Sequence, residues 1–81
     1  MYTDLMRKRI HVINPNSNEK VTKGLVDALA PLQFSDGPDI YCSTLEEGPF
    51  GIESQADMDS VSLPLRARVE ADTESHAFVI A

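Results

Sequence analysis

The 81-residue chain forms one domain at most, because a chain of this length buries only about 60–65% of the surface that its unfolded form exposes. Hydrophobic residues make up 42% of it and charged residues 25%, a composition that excludes the intrinsically disordered class. Thirteen acidic residues against seven basic ones give a net charge of -6, which disfavours binding to nucleic acid or to an anionic membrane surface.

The termini and the cysteine content bear on location. The basic positions 7–9 are not followed by the apolar stretch that a signal peptide needs. No apolar run approaches the roughly 20 residues that span a bilayer. The single cysteine, Cys42, cannot form a disulfide within the chain. We expect a cytoplasmic protein whose single domain, 1–81, begins with a flexible N-terminus at residues 1–8.

The first predicted elements are a strand and an amphipathic helix. Residues 9–14 are mostly apolar and β-branched, which is typical of a strand covered on both faces, and Pro15 ends it. A helix is predicted over residues 18–30 from an apolar stripe at helical spacing. The stripe consists of Val21, Leu25, Val26 and Leu29. Asn16 and Glu19 have the N-cap and N3 spacing that marks a helix start.

The remaining elements complete a β-α-β-α-β order. Residues 39–44 predict a second strand, and residues 53–71 a second helix that Pro64 should kink or restart. The inner face of this helix is expected at Met58, Val61, Leu65 and Val69. The apolar run 77–81 predicts a third buried strand. Strands separated by helices pair in parallel, so the predicted class is α/β with a parallel sheet.

The turn Asn14-Pro15-Asn16-Ser17 between the first strand and helix is the most informative local feature. Backbone N–H groups at a helix N-terminus attract anions, and the Asn16 amide and Ser17 hydroxyl add donors at the same place. Such an array suits a carboxylate or an enolate oxygen whose charge grows in a transition state. The alternative is an ordinary turn with an N-cap.

Other residues that could carry chemistry have simpler interpretations. Cys42 lies inside the second strand, where a lone cysteine is usually a small apolar residue. His11 and His76 have no cysteine or second histidine at ligand spacing, so no metal site is predicted. No glycine-rich phosphate loop follows the first strand, which argues against a nucleotide enzyme.

Three segments together resemble the aspartate/glutamate/hydantoin racemase superfamily, and within it the hydantoin and allantoin racemase branch. They are residues 10–17 with the asparagine-proline-asparagine turn, residues 48–53 with the glycine-proline loop, and the apolar strand 77–81. The resemblance implies a flavodoxin-like sheet of strand order 2-1-3, built β-α-β-α-β. This sheet would be the first part of a two-lobed racemase.

The resemblance also implies a mechanism. These racemases use no cofactor and place two cysteines on opposite faces of a carbon acid, where one thiolate removes a proton and the other thiol supplies one. The first cysteine is expected directly after Ala81 and the second in a later half, so this chain contains no catalytic residue. A chain ending on a buried strand reads as interrupted, since ligand loops follow strand ends. We expect the 81-residue chain alone to be inactive.

The family's substrate-binding positions fall on two loops. The resemblance assigns Asn16 and its neighbour Ser17 to the pocket after the first strand. It assigns Phe50, Gly51 and Ile52 to the pocket border after the second, although many relatives have a small polar residue where Gly51 stands. The implied partner is a small-molecule substrate, with no nucleic acid and no membrane. The full-length protein is expected to be a homo-oligomer.

Two other functions remain open at this stage. A decarboxylase or a cis-trans isomerase of the same superfamily reuses the scaffold with altered cysteine positions. A small non-catalytic flavodoxin-like binding domain, such as a receiver, is the alternative from another class. Receivers need acidic residues after the first strand and an aspartate that ends the third, and this chain has Asn14-Pro15-Asn16 and Ile80-Ala81 there.

Overall fold

The computed structural model describes residues 7–81. The expected flexible N-terminus, residues 1–8, falls mostly outside this range. Arg7 and Lys8 are described: Arg7 contacts the segment that precedes the second strand, and Lys8 contacts the first residue of that strand. Arg7 Nε donates a hydrogen bond to the Gly37 carbonyl at 3.0 Å, and the Asp39 N–H donates to the Lys8 carbonyl at 2.8 Å.

Three parallel strands form the sheet. They are β1 (Arg9–Asn14), β2 (Asp39–Thr44) and β3 (Ala77–Ile80). β1 lies in the centre, and the strand order β2-β1-β3 is the order that the family resemblance implies. The bounds of β1 and β2 coincide with those predicted from the sequence, and β3 ends one residue earlier than predicted. The α/β class with a parallel sheet is therefore confirmed.

The first helix, α1 (Glu19–Leu29), continues into a 3₁₀ turn at Ala30–Leu32. Its N-cap is Asn18, whose backbone is extended and whose side chain accepts a hydrogen bond from the Lys20 N–H. The prediction that Asn16 caps this helix is therefore wrong. Asn16 lies two residues earlier and accepts a bond from the Asn18 N–H at 2.9 Å, so it shapes the loop that leads into the cap.

The second helix, α2 (Gln55–Ala71), begins after Ser54, whose hydroxyl caps it. Pro64 lies inside the helix, which continues through it, so the restart that was predicted as one of two outcomes does not occur. Proline removes one backbone hydrogen bond from a helix. Here Val61 and Leu65, on either side of Pro64, pack on the same core cluster, which holds the two halves of α2 on one continuous path.

The two helices cover opposite faces of the sheet. Successive side chains of a strand point to opposite faces, so Ile13 and Asn14 of β1 mark the two sides. Ile13 packs with Val61 of α2, whereas Asn14 donates a hydrogen bond to the Thr22 hydroxyl of α1. β1 is consequently covered on both sides, while the two outer strands keep more of their surface exposed.

The main cluster of buried apolar residues is small and lies on the α2 side. It contains Ile13, Leu45 and Val61, and the partly buried residues packed against it are Ile52, Leu65, Val69 and Phe78. Val12, next to Ile13 in β1, is buried on the opposite face. The apolar stripe predicted for α1 is present, but none of its residues is fully buried. Val79 and Ile80 of β3 are also exposed, so the prediction that the third strand is buried is wrong for this chain. Within residues 7–81, no helix has the length and apolarity to cross a membrane.

Candidate functional site

The carboxyl ends of all three strands meet at one edge of the sheet, because the strands are parallel. The loop 15–18 follows β1 at this edge, and the loop 45–54 follows β2. The Ser17 N–H donates a hydrogen bond to the Pro49 carbonyl at 2.9 Å, which joins the two loops directly. Open α/β sheets bind their ligands at this edge, in the crevice outside the strand ends. We call it the carboxyl edge.

Gly48 allows the two loops to approach each other. A Cβ atom at this position would overlap the Pro15 carbonyl oxygen and would also press on the Leu45 carbonyl. Its backbone does not adopt a positive φ, so the requirement for glycine is one of space and not of backbone conformation. Gly51, in the same loop, has no atom within 4 Å of an added Cβ. The glycine-proline loop thus has one position that demands glycine.

Asn14 organises the β1–α1 loop from inside. Its side chain is buried, with 1% of its surface exposed. Its Nδ2 group donates to Asn16 Oδ1 at 2.9 Å, and to the Asn18 carbonyl and the Thr22 hydroxyl at 3.1 Å each. Its Oδ1 accepts from the Asn16 N–H at 3.1 Å. Asn14 therefore fixes both the backbone and the side-chain oxygen of Asn16.

Thr22 extends this network to the neighbouring strand. Its hydroxyl lies 2.6 Å from the hydroxyl of Thr44, the last residue of β2 and the partner of Asn14 across the sheet. The network thereby links β1, α1 and β2 at the carboxyl edge. Sequence reasoning missed both Asn14 and Thr22 as site-shaping residues. The available signal was an asparagine at the end of an otherwise buried strand, since buried polar groups need partners.

The N-terminus of α1 offers fewer free donors than the sequence suggested. The Ser17 N–H is bonded to Pro49, the Asn18 N–H to Asn16 Oδ1, and the Lys20 N–H to Asn18 Oδ1. Within residues 7–81, neither Asn16 Nδ2 nor the Ser17 hydroxyl has a hydrogen-bond partner. The expected array of backbone donors is therefore largely occupied. Among the described residues, the donors that remain for a ligand are the side chains of Asn16 and Ser17 and the backbone N–H of Glu19.

The three predicted residues of the second loop occupy different environments. Phe50 is 72% exposed, and Gly51 is exposed beside it. Ile52 is half-buried and packs against the core cluster, so it alone of the three has a fixed apolar contact there. The bond between Ser17 and Pro49 brings this loop beside Asn16.

An apolar groove opens at the carboxyl edge on the α2 side of the sheet. Its volume is about 310 Å³. The lining residues come from both loops, from α2 and from the end of β3. They are Pro15, Ile52, Met58, Val61, Ser62, Leu65 and Ile80. We call it the α2 groove. Sequence reasoning could not have located it, because its walls come from four separate segments.

Cys42 has the properties of a structural thiol. It lies within β2 and is half-buried, and burial raises the pKa of its thiol. A raised pKa keeps the sulfur protonated at neutral pH, whereas a proton-abstracting cysteine must be a thiolate. This agrees with the sequence interpretation that Cys42 is not catalytic.

His11 belongs to a buried polar network in the middle of the sheet. Its ring is 3% exposed, with Nδ1 2.8 Å from Asp72 Oδ2 and Nε2 2.6 Å from the Ser43 hydroxyl. Hydrogen bonds to its carboxylate hold the pKa of Asp72 far below its usual value. The bond from the Ser75 hydroxyl has the largest effect, and the backbone N–H groups of residues 74 and 75 and the His11 ring have smaller ones. Burial acts in the opposite direction but does not cancel them. The carboxylate therefore fixes the end of α2 against β1. Within residues 7–81, no cluster of metal-ligating side chains exists.

Fold and site together define a parallel α/β protein with polar loops and an apolar groove at the carboxyl edge of its sheet. The sequence profile of the Asp/Glu/Hydantoin racemase family matches residues 10–81, so the chain belongs to this family. The match extends from β1 through the end of β3 and confirms the resemblance at the level of the family. Membership indicates an isomerase of the racemase type. No curated protein and no solved structure matches the chain significantly.

Proposed function

We propose that the chain is the N-terminal portion of a cofactor-independent racemase that inverts a carbon-acid centre in a hydantoin, allantoin or amino-acid-like substrate. The observation that carries this proposal is the family match over residues 10–81. The same proposal places the chain in the hydantoin and allantoin branch of the family. It also holds that further strands complete a flavodoxin-like sheet and that the enzyme has a second lobe. Exposed apolar side chains on α1 and β3 support it, since further elements would cover them.

The reaction requires a base and an acid on opposite faces of the reacting carbon. In the proposed mechanism one cysteine thiolate removes the proton next to a carbonyl group, and the electron pair moves into an enolate. A second cysteine thiol then donates a proton from the far side, which inverts the centre and exchanges the protonation states of the two sulfurs. Both cysteines lie outside these 81 residues, the first of them directly after Ala81.

The position of Ala81 supports that placement. Its N–H donates to the Ile13 carbonyl at 3.1 Å, so the chain leaves β3 beside the end of β1. A residue following Ala81 would emerge at the carboxyl edge near the Asn14–Asn16 loop. There the free Nδ2 group of Asn16 and the hydroxyl of Ser17 can donate to the substrate carbonyl, whose charge grows as the enolate forms.

The second loop supplies the border of the pocket in this proposal. Ile52 forms part of its apolar wall, and Phe50 and Gly51 lie at the exposed rim. The contact between Gly48 and the Pro15 carbonyl keeps this border close to Asn16. Preorganised donors stabilise a developing charge better than mobile ones, so the fixed loop geometry is useful for the proposed step.

The experiment measures loss of optical activity of enantiopure 5-benzylhydantoin, allantoin and aspartate, with the complete protein and with the 81-residue chain separately. We expect the complete protein to racemise one of the three without added cofactor and to lose this activity on thiol alkylation. The 81-residue chain should not exceed the uncatalysed rate. Racemisation by the short chain, or activity that survives alkylation, would contradict the two-thiol mechanism. Release of carbon dioxide would indicate a decarboxylase instead.

A further inference from the structure

The outward side of β2 has a free row of backbone groups to account for. In the described part of the chain, β2 is an outer strand of the sheet. The Asp39 N–H donates to the Lys8 carbonyl and the Leu45 N–H to the Asn14 carbonyl, so odd-numbered residues here bond to β1. Alternate residues of a strand direct their N–H and C=O groups to opposite sides. We call the outward side of β2 the outer edge. The residues whose backbone groups point along it are Ile40, Cys42 and Thr44.

The sequence of this strand favours pairing with other strands. Residues 40–45 read Ile-Tyr-Cys-Ser-Thr-Leu and contain no charge, no proline and no glycine. Segments of about six residues with this composition add to one another edge to edge. A row of unpaired backbone groups provides the template for such addition, and proteins usually discourage it with charged side chains or proline on the edge strand. Within residues 40–45 this chain has neither.

Gln33 occupies the outer edge at Ile40. Its Nε2 donates to the Ile40 carbonyl at 2.6 Å, and its Oε1 accepts from the Ile40 N–H at 3.1 Å. One residue of an antiparallel neighbouring strand would make the same two bonds, so the side-chain amide takes the place of a peptide group. The Gln33 N–H in turn donates to the Ala30 carbonyl at 3.1 Å, which fixes the backbone from which this side chain extends.

Arg68 occupies the other end of the outer edge. It extends from α2 and donates to the Thr44 carbonyl at 3.2 Å and to Glu47 at 3.1 Å. No side chain in the described part of the molecule bonds to the backbone of Cys42. A carbonyl oxygen can accept two hydrogen bonds, so Gln33, which engages both the N–H and the C=O of one residue, is the more effective of the two blocks.

These contacts obstruct the pairing that two copies of β2 would form. In an antiparallel pair with two-fold symmetry about Cys42, each Cys42 faces Cys42 of the other copy, and Ile40 faces Thr44. Gln33 covers both backbone groups of Ile40, and Arg68 covers the Thr44 carbonyl. Of the three facing pairs, the central one alone is left open.

We propose that Gln33 and Arg68 close the outer edge of β2 and keep copies of this chain from joining through that strand. The occupant that they exclude is a second copy, because the symmetric register places each blocked residue opposite the other. The closure consists of hydrogen bonds from side chains, in a segment that has no charge of its own. It leaves the edge of β3 unaffected.

Amide hydrogen exchange of the unmodified chain gives the first readout, measured by NMR at low protein concentration. Ile40 and Cys42 lie on the same edge of the same strand, so the Cys42 amide is an internal reference. After correction for intrinsic exchange rates, we expect the Ile40 N–H to exchange about fivefold more slowly, the factor that one typical hydrogen bond contributes. Equal corrected rates would overturn the proposal.

A pair of matched variants tests the block itself. Gln33→Met removes the amide and keeps a flexible side chain of similar length. Gln55→Met makes the same change at another exposed glutamine, whose side chain bonds to Asp59 at 2.9 Å on α2. Diamide then oxidises neighbouring thiols, since the two Cys42 Cα atoms of the antiparallel pair would lie about 5.5 Å apart, within disulfide range. Gln33→Met should yield at least ~fivefold more Cys42-linked dimer than the parent, and Gln55→Met should match the parent.

The concentration dependence of exchange identifies the interface. In Gln33→Met the Cys42 N–H should become protected as the protein concentration rises, whereas in the parent it should stay unprotected. Protection of this amide in the parent at high concentration would overturn the proposal, and so would equal dimer yields from Gln33→Met and the parent. If circular dichroism shows that Gln33→Met does not fold, the exchange rates of Ile40 and Cys42 in the parent decide alone, since equality there refutes the block.

Discussion

Replacing Asn14 by alanine should destabilise the protein strongly, although it removes only one small side chain. The substitution deletes the Nδ2 group that donates to Asn16 Oδ1, to the Asn18 carbonyl and to the Thr22 hydroxyl. It also deletes the oxygen that accepts from the Asn16 N–H. These partners lie at a part-buried site, so the change leaves several polar groups without a hydrogen bond.

The magnitude follows from the number of groups left unpaired. A buried group that loses its hydrogen bond costs about 1–3 kcal/mol. The loop partners of Asn14 are only half-buried and can turn partly toward water, so we expect a total loss of about 2–4 kcal/mol and not the sum of four full penalties. A domain of this length has a free energy of unfolding of about 4–12 kcal/mol. Asn14→Ala should therefore remove roughly a third of it.

Urea denaturation followed by circular dichroism measures this loss. With an m-value of about 1.5 kcal/mol/M, a loss of about 3 kcal/mol lowers the midpoint by ~2 M. Ser17→Ala is the matched control, because the Ser17 hydroxyl has no hydrogen-bond partner within residues 7–81, and its effect should stay within about 0.5 kcal/mol. Equal midpoints for the two variants would refute the argument.

Asn14→Asp adds a test with a defined pH dependence. The new carboxylate would face the acceptors that Nδ2 now contacts, so its pKa in the folded state should lie above the unfolded value of about 3.9. The destabilisation due to the charge should then be complete above the folded pKa, should shrink as the pH falls from the folded to the unfolded pKa, and should vanish below about 3.9, where both states are protonated. A variant as stable as the parent at pH 7 would contradict the proposed donor role of Asn14.

Three further predictions concern other parts of the chain. Gly48→Ala should separate the two loops, seen as faster hydrogen exchange of the Ser17 N–H, whereas Gly51→Ala should not, because only the first Cβ meets the Pro15 carbonyl. Gly24→Ala should raise the free energy of unfolding by about 0.5–1 kcal/mol, since the added Cβ meets no atom within 4 Å in α1. Asp72 has a lowered pKa, so the stability that it contributes is present above the unfolded pKa of about 3.9 and is lost as the pH falls further. Asp72→Asn should consequently flatten the acid limb of the stability profile, and an unchanged limb would contradict the assigned shift.

The strands could be predicted from the sequence because local patterns determine them. Residues 9–14 and 39–44 are β-branched or apolar runs bounded by turn residues, and their observed bounds match the predictions. The helix cap could not be predicted in the same way. Asparagine occurs at positions 14, 16 and 18, and all three favour turns and caps. The side chain of Asn14, directed toward α1, decides that Asn16 shapes the loop and Asn18 caps the helix.

Tertiary packing explains the other differences between prediction and structure. Pro64 was expected to kink or restart α2, but α2 does not restart, because Val61 and Leu65 pack on the same core and keep the helix continuous. Met58 was expected on the buried inner face, yet it remains exposed at the mouth of the groove. The loop contact through Gly48 also depends on the distance between segments that are far apart in sequence. Local propensity contains no information on such distances.

The fate of the proton on the reacting carbon tests the racemase proposal at its centre. The complete protein is incubated in D₂O with enantiopure 5-benzylhydantoin, and ellipticity and the C5 proton signal are followed together. We predict that ellipticity decays to zero while deuterium replaces the C5 proton, faster than without protein and with no cofactor added. If the ellipticity and the C5 proton signal decay no faster than they do without protein, and if allantoin and aspartate behave in the same way, the racemase proposal is contradicted.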